Sequence, residues 1–456
     1  MNHWSLAELA QAIGARRASS VEATQSCLRQ LERLQPILKC CIRIDGERAL
    51  AAAAEADRKL ARAEPVGPLH GVPLAHKDVF DRAGRPTSCG SRIRADHVPA
   101  STAAVLQRLD AAGAIDLGTL NMAEFAAGGT GHNLHWGDCV NPWNTEYTPG
   151  GSSSGSAVAV AARAIPGSLG TDTGGSLRWP AALCGVTALR PTLGRVSLEG
   201  VMPRARSLDA VGPIARTAQD CALLFSAIAD AGSKEPAEPV GGLRIGVARG
   251  RWRDDVSAEH EAALEESLRV LRSLGATLVE LALPEPDITF RLGDVVVKSE
   301  AFALHGKWLR ERPGDYAPGI RTQLESGRAI PAEQYRDALR LRVPLQKEFL
   351  AAAFERADVL HVAAHPFAAP TMAECAPRSV AAVEAFWAAY PRLTRPFSYL
   401  GLPVLALPCG FAASGVPIGC QLVGPPSGEG RLFALAHRFQ LATEWHRRAP
   451  ALSSAS

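Results

Sequence analysis

The stretch TPGGSSSGSAVAVAARAIPGSLGTDTGGSLRWPAALCGVTALRPT, residues 148–192, constrains this chain more than any other. Two clusters rich in glycine and serine, 150–156 and 173–176, bracket a helical run of small residues at 157–164. One such cluster alone is commonly a flexible turn; two that bracket a helix are not explained that way. Gly150 and Gly155-Ser156 come close to the spacing of a phosphate-binding loop. The lysine that would reach the phosphates is missing, so nucleotide chemistry is set aside. The remaining use for such turns is to aim several backbone N–H groups at one point, because glycine reaches unusual backbone angles and leaves room.

Composition narrows the classes further. Apolar residues are 47% and charged residues 21% of 456, which fits a globular protein and excludes global disorder. A net charge of +3, with no block of like charge, gives no electrostatic case for nucleic acid or for a membrane surface. Ten cysteines are too few for a disulfide scaffold, and no Cys-x-x-Cys pair occurs; Cys40 and Cys41 are adjacent. The opening Met1-Asn2-His3-Trp4-Ser5 reads without a signal peptide. Residues 401–420 are uncharged and long enough to span a membrane, but Pro403, Pro408 and Pro417 interrupt them, so two strands joined by turns are expected. A cytoplasmic protein follows as the expectation.

Periodicity organises the rest. Residues 5–60 read as helices, with Ser19 and Glu22 as a capping box. A strand at 73–80, a helix at 104–112 and a strand at 114–117 imply a βαβ unit. The same order recurs at 243–247, 259–274 and 277–281, with Gly275 as a helix stop. Residues 290–355 read as mostly helical, and strands return at 403–407 and 418–423 before a helix from about Glu429. The fold class is α/β: a large mixed sheet, mostly parallel in its core, covered by helices on both faces. We read 1–456 as one domain, with N-terminal helices at 1–60, a catalytic core at 61–230 and a second α/β half at 242–456. The Pro/Glu/Gly-rich segment at 232–242 is taken as a surface loop within one sheet.

A serine used as a nucleophile needs a base and oxyanion donors. Twelve scattered histidines single out no Ser-His-Asp set. A lysine is an alternative base, and Lys77 sits in an apolar context, Val72-Pro73-Leu74-Ala75-His76-Lys77, where burial would make a neutral amine available.

At this point the residues resemble the amidase signature hydrolases along nearly the whole chain. The matching segments are GPLHGVPLAHKD (67–78), NMAEFA (121–126), NPWN (141–144), GGSSSGS (150–156), GTDTGGSLRWPAALCGV (170–186), RPTLGRVS (190–197), SLDAVGP (207–213), GLPVLALPCG (401–410) and GCQLVGPP (419–426). The resemblance implies a Ser–Ser–Lys triad: Lys77 as base, Ser152 as the bridging serine on a cis peptide, and Ser176 as nucleophile. It implies an oxyanion hole from the amides of Thr173, Gly174, Gly175 and Ser176, and an acyl pocket touched by Gly128, Gly129 and Thr130. The implied reaction is cleavage of the carbon–nitrogen bond of a linear amide through an acyl-enzyme, with a small-molecule substrate and neither metal nor organic cofactor. Carbamates and urea derivatives are served by the same chemistry. The glutaminase subunit of a tRNA-dependent amidotransferase is the rival within the family, and the resemblance leaves room for a homodimer. A non-catalytic binding paralogue would not need Lys77, Ser152 and Ser176 together.

Some positions depart from the family pattern. Ser154 replaces a usual glycine, residues 117–121 lack a common lysine, and Ala188 and Arg190 stand where glycine and lysine are usual. Residues 360–366 depart from a Pro/Thr-rich strand end, which bears on substrate preference rather than on chemistry. Structural roles are expected for several neighbours of the site. Ser153, Ser154 and Ser156 read as helix caps and loop hydrogen bonders, Asp172 and Arg178 as an ion pair holding the turn, and His76, Cys184, Trp136 and Trp179 as packing.

Overall fold

The computed structural model of the chain describes residues 2–230, 242–376, 385–386 and 388–452. The loop expected at 232–242 therefore lies, except for Gly242, outside the described residues. Helices α1 (Leu6–Gly14) and α2 (Ser20–Leu38) open the chain, and Ser19 and Glu22 form the expected capping box on α2. Strand β1 (Cys41–Ile44) then interrupts the stretch read as helical, before α3 (Gly46–Ala61). The Gln35 side chain holds both backbone groups of Cys41, and this fixes the turn out of α2. Such a contact has no periodic signal.

The expected βαβ unit is present as β2 (Pro73–Lys77), α4 (Ala104–Ala111) and β3 (Ile115–Leu120). Its strands pair in parallel and, with β1, make a small sheet of order β1-β3-β2. The His76 Nδ1 accepts from the Leu169 amide at 3.0 Å, which docks this small sheet onto the main one.

The main sheet takes β4 (Gly167–Asp172), β5 (Thr187–Arg190) and β6 (Ala210–Ala215) from the first half of the chain. From the second half come β7 (Arg244–Ala248), β8 (Thr277–Leu281), β9 (Val359–Ala363), β10 (Val404–Phe411) and β11 (Pro417–Val423). Its order is β4-β6-β5-β10-β11-β9-β7-β8. The sheet is mixed, as expected, but the expectation of a mostly parallel core is corrected. Only β7 pairs in parallel, with β8 and β9; the other pairs are antiparallel. Helices on both faces bury β4, β5, β6, β9 and β11 completely and β10 except at its end, so antiparallel strands carry the continuous apolar runs that usually mark parallel ones. Residues 401–420 contribute β10 and the start of β11, and among the described residues no helix is long and apolar enough to cross a membrane.

The covering helices are α5 (Ser154–Ala161), α6 (Arg178–Cys184), α7 (Ala218–Ile228), α8 (Ala258–Ser273), α9 (Pro286–Glu311), α10 (Pro318–Glu325), α11 (Ala332–Phe354), α12 (Arg395–Leu400) and α13 (Glu429–Leu441). Every residue of α5 is buried. Its composition follows from that position: a Cβ on Gly155 would stand 2.4 Å from the Cys40 carbonyl oxygen.

Candidate active site

The two Gly/Ser clusters meet. The Gly151–Ser152 peptide is cis, the Ser152 carbonyl accepts from the Ala123 amide at 3.2 Å, and the Ser153 amide donates to the Ser176 carbonyl at 3.3 Å. Lys77, the last residue of β2, is brought to this junction by the docking of β2 on β4. Its Nζ donates to Ser152 Oγ at 2.7 Å, Thr171 Oγ1 at 2.8 Å and Ser153 Oγ at 3.0 Å. Burial pulls the Lys77 amine down to about 7, while Asp172 and Asp209 pull it back up. The amine is therefore poised to exchange a proton near neutral pH.

Two of these contacts were not foreseen. Ser153 stands at the N-cap position of α5 but makes no side-chain cap there. Its hydroxyl serves Lys77 instead, so the capping reading is corrected: a nearby ammonium is a stronger donor than the helix amides. Residues 151–155 also have the spacing Gly-x-Ser-x-Gly, but the central Ser153 is fully buried beside Lys77. Thr171 precedes the turn by one strand alternation from Thr173, and that was its only signal. Ser156 donates to the Leu169 carbonyl at 3.3 Å. Cys184 and Trp179 are buried, as expected.

The second cluster forms the turn between β4 and α6. Asp172, at the end of β4, accepts from the Gly175 amide at 2.9 Å and the Leu177 amide at 3.1 Å. Arg178 meets the same carboxylate through Nη2 at 2.9 Å and Nε at 3.0 Å, and Arg190 adds a contact at 3.2 Å. The expected Asp172–Arg178 pair is thus present and fully buried. Burial would raise the Asp172 carboxyl, but the charges and hydrogen bonds of Arg178, with Arg190, hold it well below the usual carboxylate range. Gly175 has φ +138°, and a Cβ there would stand 2.6 Å from Thr394 Oγ1. Only glycine fits.

The expectation of four oxyanion amides is corrected in one respect. The Gly175 N–H is committed to Asp172, which leaves the amides of Thr173, Gly174 and Ser176 as candidates. Ser176 is 8% exposed, against 1% for Lys77 and 0% for Ser152. Of the three, it is the one a substrate reaches most readily.

Gly128, Gly129 and Thr130 line a cavity of about 570 Å³. Its wall abuts the cis peptide: a Cβ on Gly151 would lie 3.2 Å from the Gly128 carbonyl oxygen. Ile320, Phe367, Phe386 and Tyr390 supply apolar surface, and Tyr390 packs edge-on against Trp179 at 5.0 Å between ring centres. Among the described residues the lining contains Glu124, Asp138 and Glu374 but no lysine or arginine. This wall is drawn from distant segments and was not legible in the sequence. No group of three or more His, Cys, Asp or Glu residues that could hold a metal ion occurs among the described residues.

A family model described as Amidase matches residues 22–433. The chain is 37% identical to a glutamyl-tRNA(Gln) amidotransferase subunit of Methylococcus capsulatus, over 99% of both chains. It superposes on the crystal structure of an amidase with a TM-score of 0.89 and 33% identity, covering 96% of this chain and 99% of that one. Against the corresponding glutamyl-tRNA(Gln) amidotransferase subunit of Thermotoga maritima the TM-score is 0.76 at 27% identity, covering 92% of this chain and 91% of that one.

Proposed function

The chain belongs to the amidase signature family, and on that premise we propose that it hydrolyses a linear amide through a serine acyl-enzyme, releasing a carboxylic acid and ammonia or an amine. The observation that carries this reading is the buried 2.7 Å contact of Lys77 Nζ with Ser152 Oγ, beside the turn that bears Ser176. Neutral Lys77 takes the Ser152 proton as Ser152 takes that of Ser176, and Ser176 Oγ attacks the amide carbonyl. The amides of Thr173, Gly174 and Ser176 receive the oxyanion. As the tetrahedral intermediate collapses, the proton held by Lys77 returns through Ser152 to the nitrogen, and the amine leaves. Water then attacks the acyl group by the same relay, and Ser176 is regenerated.

The rival reading, a glutaminase subunit of a tRNA-dependent amidotransferase, has the naming of full-length relatives in its favour. The apolar wall of the cavity favours the amidase instead, since it fits an acyl or amine group that is itself apolar. A fluorophosphonate probe tests the chemistry. It should label the wild-type protein at Ser176 and leave Ser176→Ala unlabelled, with hydrolysis of linear amides lost in the same variant. Labelling elsewhere, or turnover that survives in Ser176→Ala, would overturn the assignment.

A further inference from the structure

A second cavity, of about 260 Å³, shares no lining residue with the Lys77–Ser152–Ser176 relay. Arg204, Lys298 and Arg395 line it together with Asp294, Thr322 and Gln323. Among the described residues its lining carries three cationic side chains and one carboxylate. Asp294 is shared, accepting from Arg395 at 2.7 Å and from Lys298 at 2.7 Å. Arg204 is 4% exposed, its Nη2 meets only the neutral Gln323 Oε1 at 3.1 Å, and its Nη1 has no hydrogen-bond partner among the described residues. Asp209 is the other acid nearby. Its oxygens are occupied by the Thr173 hydroxyl at 2.6 Å and by the Arg204 and Ala205 amides at 2.9 and 3.0 Å. A buried guanidinium N–H with no acceptor is costly unless a ligand atom completes it, and an anionic oxygen is the strongest acceptor it can find.

The cavity is tied to the candidate active site at two points. Asp209 links the Arg204 backbone to Thr173. The Arg395 Nε lies 3.3 Å from where a Cβ on Gly174 would stand, and the guanidinium is held there by Asp294 and by the Phe290 ring, 4.9 Å away. An anion lodged here would sit beside the Thr173–Gly174 end of the turn that receives the oxyanion.

We infer that this cavity is a carboxylate subsite, so that the preferred amide carries a carboxylate close to its scissile bond. The planar, two-oxygen carboxylate matches the fork of a guanidinium. The inference rests on the hydrolase reading, but binding tests it separately.

The substrates for the test are the monoamides of two- to five-carbon diacids, each paired with the neutral diamide of the same diacid. Wild type should prefer the best monoamide over its diamide in kcat/KM. In Arg204→Gln that preference should fall by roughly 10- to 100-fold, the size expected for one charge-assisted hydrogen bond. Lys298→Gln, at a half-buried position that threatens folding less, should lower the preference in the same direction. Succinate titrated calorimetrically into Ser176→Ala should bind, and binding should weaken when either cation is replaced. Inorganic phosphate should compete poorly. Hydrolysis with no preference for monoamides, succinate binding indifferent to both cations, or phosphate binding as well as succinate would each overturn the subsite while leaving the hydrolase reading intact. Succinate binding that depends on Arg204 in a protein that hydrolyses no amide would sustain the subsite and sink the hydrolase reading instead.

Discussion

In the proposed mechanism Lys77 carries two duties, and the duties are separable. It would remove a proton during attack and, through Ser152, supply one to the departing nitrogen. An amine leaves poorly unless protonated, whereas an activated phenolate leaves without help. Assistance of this kind is worth on the order of 10²–10⁴-fold. Lys77→Ala should therefore lower kcat/KM for an amide substantially more than for an activated ester of the same acyl group, and equal losses would mean that the lysine is structural. Because the neutral amine is the active form and burial holds it at about 7, wild-type kcat/KM should rise with pH through about 7 and flatten above it. Thr171 offers a finer check. Its hydroxyl accepts from Lys77 Nζ and so favours the ammonium. Thr171→Val removes that acceptor, which lowers the amine further and moves the rising limb to more acidic pH. A limb that stays in place or moves to higher pH would rule this account out.

At the scale of an element, the unit that matters is β4, its turn and α6. The carboxylate of Asp172 closes the turn by holding the Gly175 and Leu177 amides, and it pairs with both Arg178 and Arg190. Arg178 also donates to the Thr394 carbonyl at 2.9 Å, Ser398 Oγ at 2.7 Å and Gln421 Oε1 at 3.0 Å, so the turn is anchored to segments far along the chain. Asp172→Asn would leave two buried guanidiniums without a counter-charge, at a cost of about 3–5 kcal/mol. Denaturant titration should show that loss, and Ser176→Ala, which removes one hydroxyl from the turn, should show little. Similar midpoints for Asp172→Asn and wild type would mean that the pair is not what holds the turn. The departure at Arg190 from the usual lysine acquires a role here: it bonds Asp172 and, at 2.8 Å, the Leu208 carbonyl.

Across the whole molecule, one sheet draws strands from both halves of the chain, with β5 paired to β10. The cavity bordered by Gly128, Gly129 and Thr130 is likewise composite, with walls from residues 124–138, 317–320 and 367–376 and from Phe386 and Tyr390. That wall bears on the rival function. Glutamine brings an ammonium as well as a carboxylate. In this cavity Glu124 already accepts from Ser91, His135 and the Ala317 amide, Asp138 from the Asn133 amide, and Glu374 from Thr371. The chain on its own should release ammonia from glutamine at least about tenfold more slowly than from the best linear amide, since the apolar surface of Ile320, Phe367, Phe386 and Tyr390 would strip water from the ammonium. Efficient glutaminase activity that couples to added amidotransferase partner proteins would decide for the rival.

Much was legible in the sequence, and the reason is that it is local. The capping box at Ser19 and Glu22, both βαβ units, the hairpin at 404–423 and the small-residue helix all follow from periods and turn chemistry within a few residues. Lys77, Ser152 and Ser176 were singled out because glycine turns and a lysine in an apolar strand are themselves local signals, read beside a family resemblance. The rest depended on packing across the chain. Strand direction was misjudged because burial on both faces erases the alternation that distinguishes antiparallel strands. Ser153 and Thr171 became partners of Lys77 only when β2 docked on β4. The Gly175 amide was lost to the oxyanion because Asp172 lies close enough to take it. The walls of both cavities, and the Arg204 Nη1 left without an acceptor in the second, exist only where segments far apart in the chain converge, and no short-range pattern encodes that convergence.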